Sequence, residues 1–122
     1  MQPSILLVDD HPGFRAEARA TLESDGYDVI GEAASCAAAL VAVDRLRPGL
    51  VLLDIGLPDG SGLDIVGRIR EIAPTAVVVL ISGRPTSDYG GRVAAARADG
   101  FLDKATLTNG ALDDLLDSAH DQ

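Results

Sequence analysis

Val51-Leu52-Leu53-Asp54-Ile55-Gly56-Leu57-Pro58-Asp59-Gly60 is the stretch on which the fold turns. Four apolar residues, Leu50 to Leu53, read as a strand buried on both faces, and such strands belong to parallel sheets covered by helices. The run stops on a carboxylate, Asp54, and a Pro58-Asp59-Gly60 turn follows at once. Asp54 is therefore expected at the carboxyl end of an interior strand. In open α/β sheets that edge is where ligands bind.

On the N-terminal side, Ser4 to Val8 reads as a first strand ending on Asp9 and Asp10. Pro12 suits the first turn of a helix, along which Phe14, Ala18 and Leu22 share a face, with Gly26 closing it. Tyr27 to Ala33 is a half-apolar strand nearer the sheet edge. Ser35 caps a second helix through Cys36, Leu40, Val43 and Leu46, stopped by Pro48-Gly49.

On the C-terminal side, Ser61 or Gly62 opens a third helix with Leu63, Val66, Ile69 and Ile72 inward, ended by Pro74. Ala76 to Ile81 is the most continuous apolar run and reads as another interior strand, ending on Ser82-Gly83. The next helix, capped by Ser87 or Asp88 with Val93, Ala94 and Ala98 inward, carries Gly90-Gly91 in its first turns and is expected to start late or fray. Gly100 punctuates, Phe101-Leu102 forms a short strand with Lys104 at its end, and Leu107 to Ala119 gives a last helix with Leu112, Leu115 and Leu116 inward. The tail His120-Asp121-Gln122 is expected to be loose.

Strand and helix thus alternate five times. The implied fold is α/β, a doubly wound five-stranded parallel sheet of the (βα)5 flavodoxin-like type, strand order 2-1-3-4-5, in one domain over residues 1–122. The formal net charge of −9, without basic clusters, argues against direct binding of nucleic acid or an anionic membrane. A single cysteine, Cys36, excludes an internal disulfide and suits a reducing cytoplasm. No apolar run is long enough to cross a bilayer, and Met1 to Asp10 shows no secretory pattern.

With that strand order, one edge collects Asp9, Asp10, Asp54, Ser82 and Lys104. Three crowded carboxylates raise one another's pKa, and a hard divalent cation such as Mg²⁺ relieves this. A hydroxyl and a lysine opposite complete a receptor for a phosphoryl group on or beside a carboxylate, and an aspartate is a competent phosphoryl acceptor. Taken singly, each residue has a plainer role: Asp9-Asp10 as a helix cap, Asp54 as a turn residue, Ser82 as a loop hydroxyl, Lys104 as a solvated lysine, Phe101 as a core aromatic. His11 reads as an exposed loop histidine, Cys36 as a small helical filler, and Asp113, Asp114 and Asp117 as a solvated acidic face.

Val8-Asp9-Asp10-His11-Pro12, Leu53-Asp54-Ile55-Gly56-Leu57-Pro58-Asp59-Gly60-Ser61-Gly62, Ile81-Ser82-Gly83 and Gly100-Phe101-Leu102-Asp103-Lys104 together resemble the receiver domain of bacterial two-component response regulators, in the flavour often joined to a helix-turn-helix output domain. The resemblance spans essentially the whole chain. It implies that Asp54 accepts a phosphoryl group from the phosphohistidine of a sensor histidine kinase. It implies Mg²⁺ held by Asp10 directly, by Asp9 largely through water, by Asp54, and by the backbone carbonyl of Gly56. Lys104 would contact the phosphoryl oxygens. Ser82 would swing to the phosphoaspartate, Phe101 would move inward behind it, and the face from the fourth to the fifth helix would meet a second copy or an output partner. Beyond its own phosphotransfer and dephosphorylation, no enzymatic activity is implied.

This chain departs from the family pattern in places. Ala105 stands where many members have proline, Arg97 where a small residue is common, and Gly56 and Arg84 occupy positions that tune dephosphorylation. Other functions fit less well. An aspartate-nucleophile phosphohydrolase resembles a D-x-D pattern, whereas Gly56 lies two after Asp54. A flavin site lacks a hydroxyl-rich loop after the first strand. A phosphorylation-independent interaction or dimerisation module on the same fold is the alternative.

Overall fold

The computed structural model describes residues 3–120, with side chains described to residue 117. Five parallel strands, β1 (Ser4–Val8), β2 (Asp28–Ala33), β3 (Leu50–Asp54), β4 (Val77–Ser82) and β5 (Gly100–Asp103), form one sheet in the order β2-β1-β3-β4-β5. This is the flavodoxin-like order expected from the sequence. Strand pairing is parallel throughout, with Val8 beside Leu53 and Asp54 beside Ile81. The last residues of β1, β3 and β4 therefore end level on one edge.

Two apolar layers follow from the two-residue alternation of side chains along each strand. Ile5, Leu7, Leu50, Leu52, Val79 and Ile81 face Ala18 and Leu22 of α1 (Pro12–Ser24) and Leu112 of α5 (Ala111–His120). Leu6, Val8, Val51, Leu53, Val78 and Leu80 face Ala39 and Val43 of α2 (Cys36–Leu46) and Val66 and Ile69 of α3 (Val66–Ile72). The helix ends match the cap signals. Pro12 opens α1, Gly26 at φ 95° follows its end, and Ser35 Oγ accepts the Ala38 N–H at 3.1 Å.

Several expectations need correction. Leu46 is 42% exposed rather than core. It lies over Gly31 of the edge strand β2, and α2 overhangs the sheet there, so one flank of the side chain faces water. The third helix begins as a 3₁₀ turn, Gly62–Ile65, and becomes α-helical only at Val66. Between Asp54 and that turn lies a small hairpin, Gly56–Leu57 against Gly60–Ser61, which sequence periodicity did not mark. The fourth helix, α4 (Arg92–Ala96), starts late as expected. Ser87 and Asp88 fall in a separate 3₁₀ turn, Thr86–Tyr89, instead of capping it, and Gly91 precedes it without a side-chain cap. Ala94 is exposed, while Val93, Ala96 and Ala98 pack on the α2–α3 side.

The last helix begins at Ala111, not Leu107. Asp25 accepts hydrogen bonds from Asn109 Nδ2 and Gly110 N, both at 2.8 Å, and Gly110 takes φ 86°, so the chain turns there before the helix can start. Asp113 is not merely solvated, because the buried Tyr27 hydroxyl donates to its carboxylate. α5 runs on through His120, and the remaining tail residues, Asp121 and Gln122, lie outside the described residues.

Candidate functional site

Each side chain of the site is placed by a strand that ends. Asp54 closes β3 and is 4% exposed. Asp9 follows β1 directly and is fully buried; its N–H donates to Ala33 O at 3.0 Å, and Arg15 Nη1 donates to its carbonyl at 2.7 Å. Lys104 follows β5, and its ammonium reaches back between the two acids. Nζ lies 3.1 Å from Asp54 Oδ2 and also contacts Asp9 Oδ2. The ring of Phe14 backs the same ammonium, 4.7 Å from its centroid, as a cation–π contact.

The loop after Asp54 is held close. Gly62 passes so near that an added Cβ would sit 2.2 Å from the Asp54 carbonyl oxygen, so only glycine fits. Asp59 then accepts the Cys36 and Ala37 N–H groups at 2.7 and 3.0 Å, capping α2 from a distant segment. The Gly56 N–H donates to Asp54 Oδ1 at 3.2 Å.

The electrostatics follow from crowding. Burial, and then the negative charge of Asp9, push the Asp54 carboxyl up to about 6 against the opposing pull of Lys104. Burial also penalises the Asp9 charge, but Lys104 and the His11 N–H more than offset this and hold its pKa below the usual range. Lys104 loses solvent as well, yet its two carboxylate partners raise its pKa. One ammonium thus serves two buried carboxylates, and Asp10 adds a third acid beside them. Asp9 Oδ2 and Asp10 Oδ1 are buried, and their polar neighbours are Lys104 Nζ and His11 Nδ1 respectively. Ligand atoms of Asp9, Asp10, His11 and Asp54 all lie within 4.8 Å of one another. This set fits a hard divalent cation.

His11 is exposed as expected, but its Nδ1 reaches both acids, at 3.1 Å from Asp9 Oδ1 and 3.3 Å from Asp10 Oδ1. Ser82, at the end of β4, is 3% exposed and opens with Asp54, Gly56, Arg84 and Lys104 on one cleft of about 320 Å³. Phe101 is half-buried on the α2–α3 side of the sheet, beside Leu80 in the strand register. Every sequence-predicted site residue except Phe101 therefore borders the acidic pocket or its cleft.

A family model described as the response regulator receiver domain matches residues 5–116. The chain belongs to that family. Receiver domains of response regulators serve phosphorylation-dependent signalling. The receiver is 34% identical over 104 residues to BvgA of Bordetella pertussis, named as a virulence-factor transcription regulator, covering 85% of this chain and 50% of BvgA. It spans about half the length of the curated relatives it matches. It is also similar to the signal receiver domain of NarL from Mycobacterium tuberculosis (28% identity, TM-score 0.82, 99% of this chain and 98% of that one). A LuxR-family two-component response regulator from Aurantimonas is comparable, at 27% identity and TM-score 0.84, with 97% of this chain and 84% of that one covered. Among the described residues no helix is long and apolar enough to cross a membrane.

Sequence reasoning missed three residues of this receiver's site. Phe14 was read only as a core-facing position of α1, and Asp59 only as a turn residue. Tyr89 was not singled out, yet its hydroxyl contacts Ser82 Oγ. Cys36 is less reactive than a helix-start cysteine would suggest, because burial and the nearby Asp59 push its thiol up to about 11.

Proposed function

We propose that this receiver is a phosphorylation-gated switch in which Asp54 accepts the phosphoryl group of a sensor histidine kinase in the cytoplasm. The observation that carries the reading is one lysine ammonium held by two buried carboxylates, Asp9 and Asp54 at 3.1 Å, with Asp10 alongside and Asp54 lining an open cleft. In the step, an Asp54 carboxylate oxygen forms a bond to phosphorus as the phosphorus–nitrogen bond of phosphohistidine breaks. The imidazole leaves with that electron pair and takes up a proton. Lys104 neutralises charge on the transferring oxygens, and Asp9 holds Lys104 in place. Asp9, Asp10, Asp54 and the Gly56 carbonyl would hold Mg²⁺, which supplies further neutralisation when bound.

Ser82 then bonds a phosphoryl oxygen, and Phe101 with the α4–β5–α5 face carries the change to an output partner or a second copy. The half-burial of β5 and α4 supports that assignment. Incubation with a small phosphodonor and Mg²⁺ should add one phosphoryl group, seen by intact mass, and Asp54→Asn should abolish it. Modification of the Asp54→Asn protein, or none of the wild type, would count against the reading. Asp10→Ala should weaken Mg²⁺ binding by calorimetry, and an unchanged titration would remove the metal assignment.

A further inference from the structure

We propose that Tyr89 is a positioning residue for Ser82, holding the serine hydroxyl away from Asp54 until a phosphoryl group competes for it. The inference rests on the phosphoacceptor reading of Asp54. Ser82 Oγ accepts the Arg84 N–H at 3.0 Å and shares a hydrogen bond with the Tyr89 hydroxyl. With one proton and two lone pairs the serine hydroxyl keeps one site for a further partner, so its position is set by the direction of these two bonds rather than by saturation. Its two partners both belong to the segment that follows β4, so that segment, and not the Asp54 carboxylate, holds Oγ.

Tyr89 cannot simply follow the serine toward Asp54. It is partly buried against the α2–α3 side of the core, as are Val93 and Phe101. The residue closes the 3₁₀ turn Thr86–Tyr89, and the chain then breaks at Gly90 with φ 59° and ψ −133°. Rotation of Ser82 about its Cα–Cβ bond therefore parts the two hydroxyls. The same motion leaves the Tyr89 hydroxyl facing the cleft it lines with Asp54 and Lys104. One neutral hydrogen bond is exchanged for one to a charged oxygen, which is the stronger kind. The latch therefore sets a threshold for the switched state without blocking it.

The test is affinity for beryllofluoride, a tetrahedral phosphoryl mimic, with Mg²⁺ present, followed by fluorine NMR on the full chain. Tyr89→Phe removes one oxygen and keeps the ring packing. It should bind the mimic about 2–10-fold more tightly than wild type, the worth of one net hydrogen bond. Ser82→Ala should bind more weakly, and adding Tyr89→Phe to Ser82→Ala should change nothing further. Unchanged or weaker binding by Tyr89→Phe overturns the latch, and so does a gain that persists in the Ser82→Ala background. Wild-type protein that fails to bind beryllofluoride overturns the phosphoacceptor reading itself and the latch with it. Wild-type binding with no Tyr89 effect overturns the latch alone.

Discussion

In β1 and β3 every side chain from Ile5 to Val8 and from Leu50 to Leu53 is fully buried, whereas β5 and α4 contain no buried residue. β1 and β3 carry the acids, whereas the segment from Tyr89 through α4 to β5 carries the partner of Ser82, the proposed switch aromatic Phe101 and the proposed output face. The difference teaches where free energy is available for movement. A carboxylate held at the end of a close-packed strand keeps its geometry when its charge changes. A short helix between a glycine break and a left-handed Arg97 at φ 57° opens at low cost, and such segments are the ones that switches use.

The sharpest way to break this comparison is a pair of truncations. Leu52→Ala, in the fully buried β3, should cost about 3–5 kcal/mol through the lost side chain and the cavity left behind. Val93→Ala, on the half-buried face of α4, should cost about 1 kcal/mol or less, since its surroundings are partly solvent already. Urea unfolding monitored by far-ultraviolet circular dichroism measures both. Equal losses would mean that α4 is packed as firmly as β3.

The asymmetry also explains what the sequence revealed. Interior strands were legible because Leu50 to Leu53 and Ala76 to Ile81 are apolar on both faces, and a strand end places its next residue with little freedom. Asp54 and Ser82 followed from those two runs, Asp9 from the run Ser4 to Val8, and Lys104 from the short Phe101-Leu102 strand. Features resting on contact between distant segments were not legible. Asp59 capping α2 joins residues 22 and 23 apart, and nothing local in the turn distinguishes that carboxylate from a solvated one. Leu46 kept the helical spacing of its inward neighbours, and only its place over the sheet edge exposes it. The Tyr89 contact joins the end of β4 to a 3₁₀ turn seven residues on, which no periodicity encodes.

A smaller effect sharpens the comparison at the acid end. Because the folded-state pKa of Asp54 is raised to about 6 from an ordinary 3.8, the native protein binds this proton more tightly than the unfolded chain does. The sign follows directly. Below the unfolded pKa the carboxyl is neutral in both states, and the cost of burying its charge appears as pH rises through the window between the two values. With divalent cations chelated, Asp54→Asn should therefore be more stable than wild type at neutral pH by roughly 1–3 kcal/mol. The gain should shrink as pH falls from about 6 to about 4, because wild type then loses its own penalty. Thermal melts across that range measure it. A constant difference would show that Asp54 does not carry the burial penalty.

The smallest effects lie at the other end, where two adjacent glycines should respond with opposite signs. Gly90 takes φ 59° and ψ −133°, a region essentially closed to residues with a Cβ, so Gly90→Ala should destabilise by about 1–2 kcal/mol although open space surrounds the site. Gly91 takes φ −84° and ψ 1°, which alanine adopts without strain, and an added Cβ would meet nothing. Gly91→Ala should stabilise by about 0.4–1 kcal/mol, mainly by reducing the freedom of the unfolded chain. Because Gly90 directly follows Tyr89, strain there should loosen the Ser82–Tyr89 hydroxyl pair, while the second substitution leaves it intact. The ring signals of the only two tyrosines, Tyr27 and Tyr89, separate the cases by NMR. A Tyr89 shift in Gly90→Ala but not in Gly91→Ala is expected, and the reverse pattern would place the hinge one residue later.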